Sequence, residues 1–141
     1  MTKPGVGLSV IVMDFKKKKV LLGKRLNAHG EGTWAFPGGH LEKWEEFEEC
    51  ARREVKEETG LEVDVFDLSP VAVTNDSFMK ENKHYVTLFL RAEYQGGNPE
   101  ILESNKCEEW RWYSWNKMPK PLFLAVENLI KQEYNPFARI R

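Results

Sequence analysis

The 141-residue sequence has little cysteine, no excess of charge of either sign and no long hydrophobic run. Its two cysteines, Cys50 and Cys107, are too few for a disulfide framework, and their separation does not match a zinc-ligand pair. We therefore expect a reducing, cytoplasmic setting. A net charge of −1 argues against a nucleic-acid polymer or a membrane surface as partner. No stretch approaches the length of a membrane span.

The length and composition predict one domain over residues 1–141, because 41% hydrophobic content supports one core but the chain is short for two. Alternation and β-branched or aromatic enrichment predict strands in 5–13, 19–23, 33–36, 61–68, 70–75, 84–94 and 108–115. Helix formers predict helices over about 45–59 and 121–133. This order of elements predicts an α/β or α+β sandwich with mixed sheets.

One predicted helix crowds three glutamates, Glu54, Glu57 and Glu58, into the segment RREVKEETG. Like charges three and four residues apart on a helix repel by about 0.2–0.5 kcal/mol per pair. At about 100° per residue, the buried stripe of this helix consists of Phe47, Ala51 and Val55. Glu58 falls inside that stripe and Glu54 on its edge. A carboxylate held against a core needs a compensating partner.

Two partners would explain these glutamates: an arginine such as Arg53 or Arg25, or a metal ion. Helix geometry alone does not separate the two. The segment PGGH, residues 37–40, lies just upstream, and its glycines let carbonyls turn inward and a ligand approach closely. Hard cations such as Mg²⁺ prefer oxygen ligands and are commonly shared with substrate phosphates. The glycines therefore favour the metal site.

The segment GHLEKWEEFEECARREVKEETGL, residues 39–61, resembles the Nudix box, G-x5-E-x7-R-E-U-x-E-E-x-G-U, where U is bulky and apolar. The fixed positions are all met, by Gly39, Glu45, Arg53, Glu54, Val55, Glu57, Glu58, Gly60 and Leu61. Agreement at every one of these positions by chance is very improbable. The order of elements is also similar to the Nudix α/β/α sandwich with a mixed β-sheet, so the resemblance extends over nearly the whole chain.

The resemblance to Nudix (MutT-type) hydrolases implies hydrolysis of a nucleoside diphosphate linked to another group X, with Mg²⁺ or Mn²⁺. It implies that Glu54 and Glu58 are the principal metal ligands and that Glu57 is a further ligand or the base that assists the attacking water. The carbonyl of Gly38 is implied as another ligand. Metal ions neutralise diphosphate charge and lower the pKa of a bound water, and phosphoryl transfer needs little else from a protein.

Three further positions of the box have structural consequences. The resemblance implies that Arg53 and Glu45 hold the loop and helix in shape through an internal salt bridge. Trp44 stands where many family members have glycine. This departure predicts a slightly different entry into the helix.

Outside the box, the chain is similar to a Nudix subgroup of nucleoside triphosphate diphosphatases that clear oxidised or thiolated purine nucleotides. The matching segments are VLLGKR, PGGHLE, HYVT, KCEEWRWYSW, PKPLF and NPF. The subgroup forms homodimers, so we expect one here. The implied substrate-binding residues are Arg25 on phosphate, His40 over the phosphates, Thr87 in the pocket, Phe36 and Phe123 beside the base, together with Gly39 and Leu124.

Two departures from the subgroup affect the substrate pocket. Leu124 stands where relatives commonly have tryptophan, which removes a large stacking surface. The chain reads ESNK where relatives read EPEK, so Asn105 replaces a distal carboxylate. Catalysis would then be assisted by Glu103 or Glu108, and we count Glu103 among the metal ligands. Without the family, Thr87 is interpreted as an ordinary strand residue and Phe123 as a core aromatic.

The leading functional hypothesis is a Mg²⁺-dependent pyrophosphohydrolase that converts nucleoside triphosphates, including modified purines such as 8-oxo-dGTP, to monophosphate and pyrophosphate. The alternative within enzymes is hydrolysis of NADH, ADP-ribose or another nucleoside diphosphate linked to X. A third hypothesis is a Nudix scaffold that only binds nucleotide. The complete set of Glu54, Glu57 and Glu58 argues against it, because binding alone gives no reason for a metal-binding cluster.

Overall fold

Residues 2–138 are described by the computed structural model, and they form eight strands, two α-helices and one short 3₁₀ helix. The strands are β1 (Gly5–Asp14), β2 (Lys19–Arg25), β3 (Trp34–Ala35), β4 (Gly38–His40), β5 (Val63–Val65), β6 (Ala72–Phe78), β7 (Lys83–Tyr94) and β8 (Cys107–Ser114). The helices are α1 (Phe47–Thr59) and α2 (Leu124–Lys131), and the 3₁₀ helix is Trp115–Lys117. None of the helices in the described residues has the length and apolarity to cross a bilayer.

The strands form one mixed sheet that forks along β1. Strands β1 and β7 are parallel, and the other pairings are antiparallel. At one end, β1 pairs with β2 through Met13 and Asp14, whereas at the other end Gly7 and Ser9 pair with β4 and β7. Strands β2, β3 and β8 therefore separate from β1, β4 and β7, and a cavity opens between the two groups.

The sheet is buried on both faces, which explains the nearly continuous apolar sequence of β1. Successive side chains of a strand point to opposite faces. Leu8 and Val10 pack with α1, whereas Ile11 and Met13 pack with α2 on the other face. The result is three layers, helix, sheet and helix, so the predicted α/β sandwich with a mixed sheet is confirmed.

Helix α1 begins two residues later than predicted and ends where predicted. The side chain of Glu49 accepts a hydrogen bond from the backbone N–H of Glu46 at 2.9 Å, which satisfies one of the free donors at the start of the helix. Gly60 terminates the helix with a φ of 78°, and its N–H donates to the carbonyl of Lys56 at 2.9 Å. Glycine is favoured there because the left-handed conformation costs other residues more.

Trp44 adopts a conformation that suits glycine. Its φ of 71° lies in the left-handed region, and its side chain is 89% exposed. The backbone at the entry to α1 therefore adopts a conformation that glycine reaches more easily than tryptophan. The tryptophan is accommodated by exposing its ring to solvent.

Helix α2 is shorter than the predicted 121–133, because the residues before it pair with β3. The N–H of Trp34 donates to the carbonyl of Pro121 at 3.0 Å, and the N–H of Phe123 donates to the carbonyl of Trp34 at 2.9 Å. Two side-chain amides, one on α2 and one on the residue directly after it, reach the outer edge of β6. Asn128 Nδ2 donates to the carbonyl of Asn75 at 3.3 Å, and Gln132 donates to that of Val73 at 2.8 Å.

Strand β4 is absent from the sequence prediction. Its residues are two glycines and a histidine, so they lack the β-branched and aromatic enrichment on which such predictions depend. It forms because Gly38 and Gly39 pair with Ser9 and Leu8 of β1. This pairing places the glycine-rich segment directly beside α1.

Candidate active site

A cavity of about 700 Å³ lies in the fork of the sheet and has two chemically different ends. At the carboxylate end, it is lined by Glu54, Glu57, Glu58 and Glu103. At the aromatic end, it is lined by His29, Phe78, Tyr85 and Phe123. Arg25 connects the two ends, because its guanidinium lies 4.3 Å from the ring centre of Phe123 and also interacts electrostatically with Glu58.

The two glycines of β4 allow the carboxylate end to form. A Cβ added to Gly39 would lie 2.4 Å from the carboxyl group of Glu54, which is closer than real side chains approach. A Cβ added to Gly38 would lie 2.1 Å from the carbonyl oxygen of Leu8. Glycine is therefore required at both positions for β4 to lie this close to α1 and to β1.

Glu54 and Glu58 form a close pair of acidic groups on α1. Burial raises the pKa of Glu58 well above its usual range, and the hydrogen bond and charge of Glu54 raise it further, followed by the charge of Glu103. A hydrogen bond from the backbone of Gly38 acts in the opposite direction. The side chain of Glu54 is only 13% exposed, so the pair is poorly solvated. Two carboxylates in such a place repel each other strongly.

Arg53 connects the glutamates of the box. Its Nε and Nη2 donate to the two carboxylate oxygens of Glu45 at 2.7 and 3.0 Å, so the salt bridge between these residues is present. Its Nη1 donates to Glu54 at 2.8 Å and to Glu57 at 3.0 Å. The hydrogen bonds from Arg53 lower the pKa of Glu45 to about 2. The arginine partner considered for Glu54 is therefore present.

The donor set of the carboxylate end fits a hard divalent cation. Within residues 2–138, no three His, Cys, Asp or Glu side chains are arranged to hold a metal ion by themselves. Mg²⁺ usually binds through one or two carboxylates and completes its shell with waters and substrate phosphates. The crowded carboxyls of Glu54 and Glu58 match that requirement, because a divalent cation would remove their mutual repulsion.

The aromatic end is a chamber built from rings on four separate segments. The ring of His29 stacks on Tyr85 with centroids 5.2 Å apart and meets the edge of Phe78 at 4.6 Å. Phe78 packs against Phe123 at 5.2 Å. Burial, and then the charge of Arg25, lower the pKa of His29 to about 4, so its imidazole is neutral near pH 7. Its buried Nδ1 has no hydrogen-bond partner in the described part of the chain.

Six of the seven predicted substrate-binding residues line the cavity: Arg25, Phe36, Gly39, His40, Thr87 and Phe123. Leu124 does not line it, although its neighbours Phe123 and Ala125 do. Phe123 is the N-cap of α2, and Leu124 is the first residue of that helix. The predicted substrate contact at Leu124 stays a prediction.

The two glutamates outside the box that were predicted to assist catalysis, Glu103 and Glu108, lie in different places. Glu103 and Asn105 line the cavity. Glu108 is not among the lining residues, and its carboxylate pairs with Lys24 at 3.6 Å. Glu103 is thus the acidic side chain of this segment that faces the carboxylate end.

Three walls of the aromatic chamber, His29, Phe78 and Tyr85, are absent from the residues predicted from the sequence. His29 lies in the glycine-rich loop before β3, where a lone histidine carries little signal. Phe78 ends β6 and Tyr85 lies near the start of β7, so the intervening turn brings them to the same end of the sheet. The available signal was a pair of aromatic residues on either side of the segment that connects two predicted strands.

A poorly solvated acidic pair beside an aromatic chamber suits an enzyme that acts on a phosphorylated aromatic molecule. Residues 3–132 match the family model described as the NUDIX domain. The chain therefore belongs to the Nudix family of hydrolases, as the box predicted, and these enzymes act on the phosphoanhydride bonds of nucleotides.

Individual relatives support this assignment and differ in substrate. The chain is 34% identical over 128 residues to the ADP-ribose pyrophosphatase of Methanocaldococcus jannaschii, covering 91% of this chain and 72% of that protein. It is 31% identical over 112 residues to the oxidized purine nucleoside triphosphate hydrolase of Danio rerio, covering 79% of this chain and 69% of that protein. The crystal structure of a MutT Nudix hydrolase from Burkholderia pseudomallei aligns with a TM-score of 0.80 at 26% identity, covering 92% and 98% of the two chains.

Proposed function

We propose that this protein is a Mg²⁺-dependent nucleoside triphosphate pyrophosphohydrolase whose substrates include oxidised or otherwise modified purine nucleotides such as 8-oxo-dGTP. The observation that carries the proposal is the continuity of one cavity from the carboxylate end, past Arg25, to the aromatic chamber. A nucleotide has the same polarity, with an anionic chain at one end and an aromatic base at the other.

At the carboxylate end, Glu54 and Glu58 are the proposed principal ligands of Mg²⁺ or Mn²⁺, with the Gly38 carbonyl and Glu103 as further ligands. A bound divalent ion would neutralise charge on the phosphates and lower the pKa of a coordinated water. Arg53 keeps Glu54 in place through its hydrogen bond of 2.8 Å and is itself fixed by Glu45.

The chain's own groups provide the proton transfer and the placement of phosphate. The side chain of Glu57 is 50% exposed, so its carboxylate can take the proton of the attacking water. Water attacks a phosphorus, the anhydride P–O bond breaks, and pyrophosphate leaves from the nucleoside monophosphate. Arg25 and His40 line the path between the ends and are the proposed phosphate contacts. Phosphoryl transfer relies mostly on such positioning and charge stabilisation.

At the aromatic end, the proposed binding partner is the base. Tyr85, Phe78 and Phe123 offer ring faces and edges, and the neutral imidazole of His29 adds another planar wall. Phe36 also lines the cavity but is 5% exposed and stacks with Trp115, so its main role is to support the chamber.

Hydrolysis of ADP-ribose or NADH is the second candidate. It is favoured by the identity of 34% to the ADP-ribose pyrophosphatase of M. jannaschii. The carboxylate end would do the same chemistry on a diphosphate whose second substituent extends out of the cavity.

A product analysis separates the two candidates. The enzyme is incubated with Mg²⁺ and ordinary, oxidised or methylated nucleoside triphosphates, NADH or ADP-ribose. Phosphate release is followed with pyrophosphatase added for the triphosphates, and with alkaline phosphatase added for NADH and ADP-ribose, whose products are two phosphate monoesters. Monophosphate plus pyrophosphate from a triphosphate supports our proposal. Strong activity on ADP-ribose or NADH, with weak activity on every triphosphate, would replace it with the second candidate.

A further inference from the structure

Asp76, on β6, is a fully buried carboxylate on which three hydrogen-bond donors converge. The hydroxyl groups of Thr74 and Thr87 donate to its Oδ2 at 3.1 and 2.5 Å. The side-chain Nδ2 of Asn128 donates to its Oδ1 at 2.9 Å. Buried carboxylates are stable when their oxygens accept hydrogen bonds in this way.

This network determines whether the Thr87 hydroxyl can donate or only accept a hydrogen bond on its cavity side. A hydroxyl has one proton to donate and two lone pairs that accept, whereas a carboxylate only accepts. Because Thr87 donates its proton to Asp76, its remaining capacity is that of an acceptor. Thr87 lines the cavity. A Cβ on the neighbouring Gly7 would lie 3.9 Å from Thr87 Oγ1, so this glycine leaves the hydroxyl uncovered on that side.

The position of Tyr85 on the same strand indicates which part of a ligand would contact Thr87. Thr87 and Tyr85 are two residues apart on β7, so they lie on the same face of the sheet. Tyr85 is a wall of the aromatic chamber. A base held against Tyr85 therefore presents one of its edges to Thr87.

We infer that Asp76 is a positioning residue that fixes Thr87 as a hydrogen-bond acceptor, so that the cavity selects a base carrying an N–H donor on the edge facing Thr87. A base with a lone pair at that point meets a second acceptor and is disfavoured. The inference rests on the proposed function only in taking a nucleotide base as the occupant of the aromatic chamber.

Substitution of Asp76 by asparagine should turn Thr87 from a hydrogen-bond acceptor into a hydrogen-bond donor toward the cavity. Nδ2 of Asn128 also donates to the carbonyl of Asn75 at 3.3 Å, which fixes the orientation of that amide. The group at position 76 that faces Asn128 must then remain an acceptor. The new side-chain amide would therefore point its NH₂ at Thr74 and Thr87. Thr87 would accept from it and direct its own proton into the cavity.

The test measures affinity for nucleoside monophosphates by calorimetry, so it does not depend on turnover. Three pairs of ligands are compared, and in each pair only the first member carries a given N–H donor on the base. GMP carries a 2-amine that IMP lacks, and AMP carries a 6-amine that purine riboside monophosphate lacks. IMP carries an N1–H that purine riboside monophosphate lacks. In at least one pair, the wild-type protein should bind the donor-bearing member about three- to tenfold more tightly, the scale of one hydrogen bond.

The variants should change the ratio of dissociation constants of the discriminated ligand pair in different ways. Thr87→Val should bring the ratio of dissociation constants to about one, and Thr87→Ser should keep the wild-type ratio. Asp76→Asn should bring the ratio to one or below. In the Asp76→Asn, Thr87→Val double variant, the ratio should equal that of Thr87→Val alone, because Asp76 acts through Thr87. If Asp76→Asn does not fold, Asp76→Ser takes its place, with an expected ratio of about one.

Several outcomes would overturn the inference. They are a wild-type ratio of one in all three pairs, a preference that survives Thr87→Val, and an Asp76→Asn variant that weakens both members of a pair equally. The last result would give Asp76 a structural role only. Donor-selective binding in a protein that hydrolyses no triphosphate would instead reject the proposed reaction and keep this inference.

Discussion

The two ends of the cavity are assembled in different ways. The main acidic groups of the carboxylate end and the glycine that packs against them come from 20 positions of contiguous sequence, Gly39 to Glu58. The aromatic end combines a loop, two strands and a helix cap, with His29 and Phe123 at its extremes along the chain. The carboxylate end thus depends on one helix and its neighbouring strand, whereas the aromatic chamber depends on the whole fold.

This difference explains what the sequence could predict. The spacing of Glu54 and Glu58 on one turn, with glycines upstream, is a local pattern that indicates its own chemistry. His29, Phe78 and Tyr85 have no fixed spacing, because the pairing of β6 with β7 and the return of the chain at Phe123 bring them together. Strand β4 escaped prediction because pairing with β1, and not the propensity of GGH, holds it in place.

The largest effect is expected from Glu58→Gln at the carboxylate end. Turnover should fall about 100-fold or more, the scale for removing one electrostatic group from a preorganised site. Nucleotide affinity should change far less, because the aromatic end is intact. Steady-state kinetics and calorimetry measure the two quantities. The matched control is Glu48→Gln on the same helix, where the glutamate pairs with Arg52 outside the cavity. Unchanged turnover in Glu58→Gln would favour the binding scaffold over the enzyme.

A single methyl group at Gly39 should also impair the carboxylate end. In Gly39→Ala, the added Cβ would meet the Glu54 carboxyl at 2.4 Å, so the glutamate or the helix must move. We expect turnover to fall about 10- to 100-fold, the range for disturbing residues that orient metal ligands. Steady-state kinetics measure the change, and Glu48→Gln, which lies outside the cavity, is again the control. Wild-type turnover in Gly39→Ala would show that the contact with Glu54 does not matter.

At the aromatic end, Tyr85→Leu should mainly affect binding. Loss of the stacked ring should raise KM about three- to tenfold with a smaller change in kcat, because aromatic pairs contribute about 0.5–1.5 kcal/mol. Tyr94→Leu is the matched control, because Tyr94 lies on the same strand and packs against Trp112 away from the cavity. A fall in kcat at constant KM would mean that the two ends are not functionally separate.

The neutral His29 of the aromatic chamber predicts a dependence of stability on pH. Its pKa falls from 6.5 to about 4 on folding, so the unfolded chain binds more protons in that interval. Stability should therefore decrease as pH falls from about 6.5 towards 4. His29→Gln should flatten this part of the curve of Tm against pH relative to the wild-type protein. An unaltered curve in His29→Gln would contradict the lowered pKa.

The smallest effect is expected at the entry to α1. Trp44→Gly should increase the free energy of unfolding by about 1 kcal/mol, because glycine adopts a φ of 71° without the penalty of a side chain. Trp44→Ala removes the exposed ring but keeps the unfavourable conformation, so it should not give this gain. Chemical denaturation measures both. Equal stability of the two variants would mean that the left-handed conformation costs little here.

The side-chain amides of Asn128, on α2, and Gln132, directly after it, cover part of the outer edge of β6. An open strand edge can template pairing with another chain. Asn128 and Gln132 already occupy carbonyls of this edge, those of Asn75 and Val73. Asn128 holds Asp76 as well. Loss of the Asn128 side chain would uncover one carbonyl of this edge and remove one of the three donors of the buried Asp76 carboxylate. A single substitution at this position would therefore affect both the strand edge and the lining of the cavity.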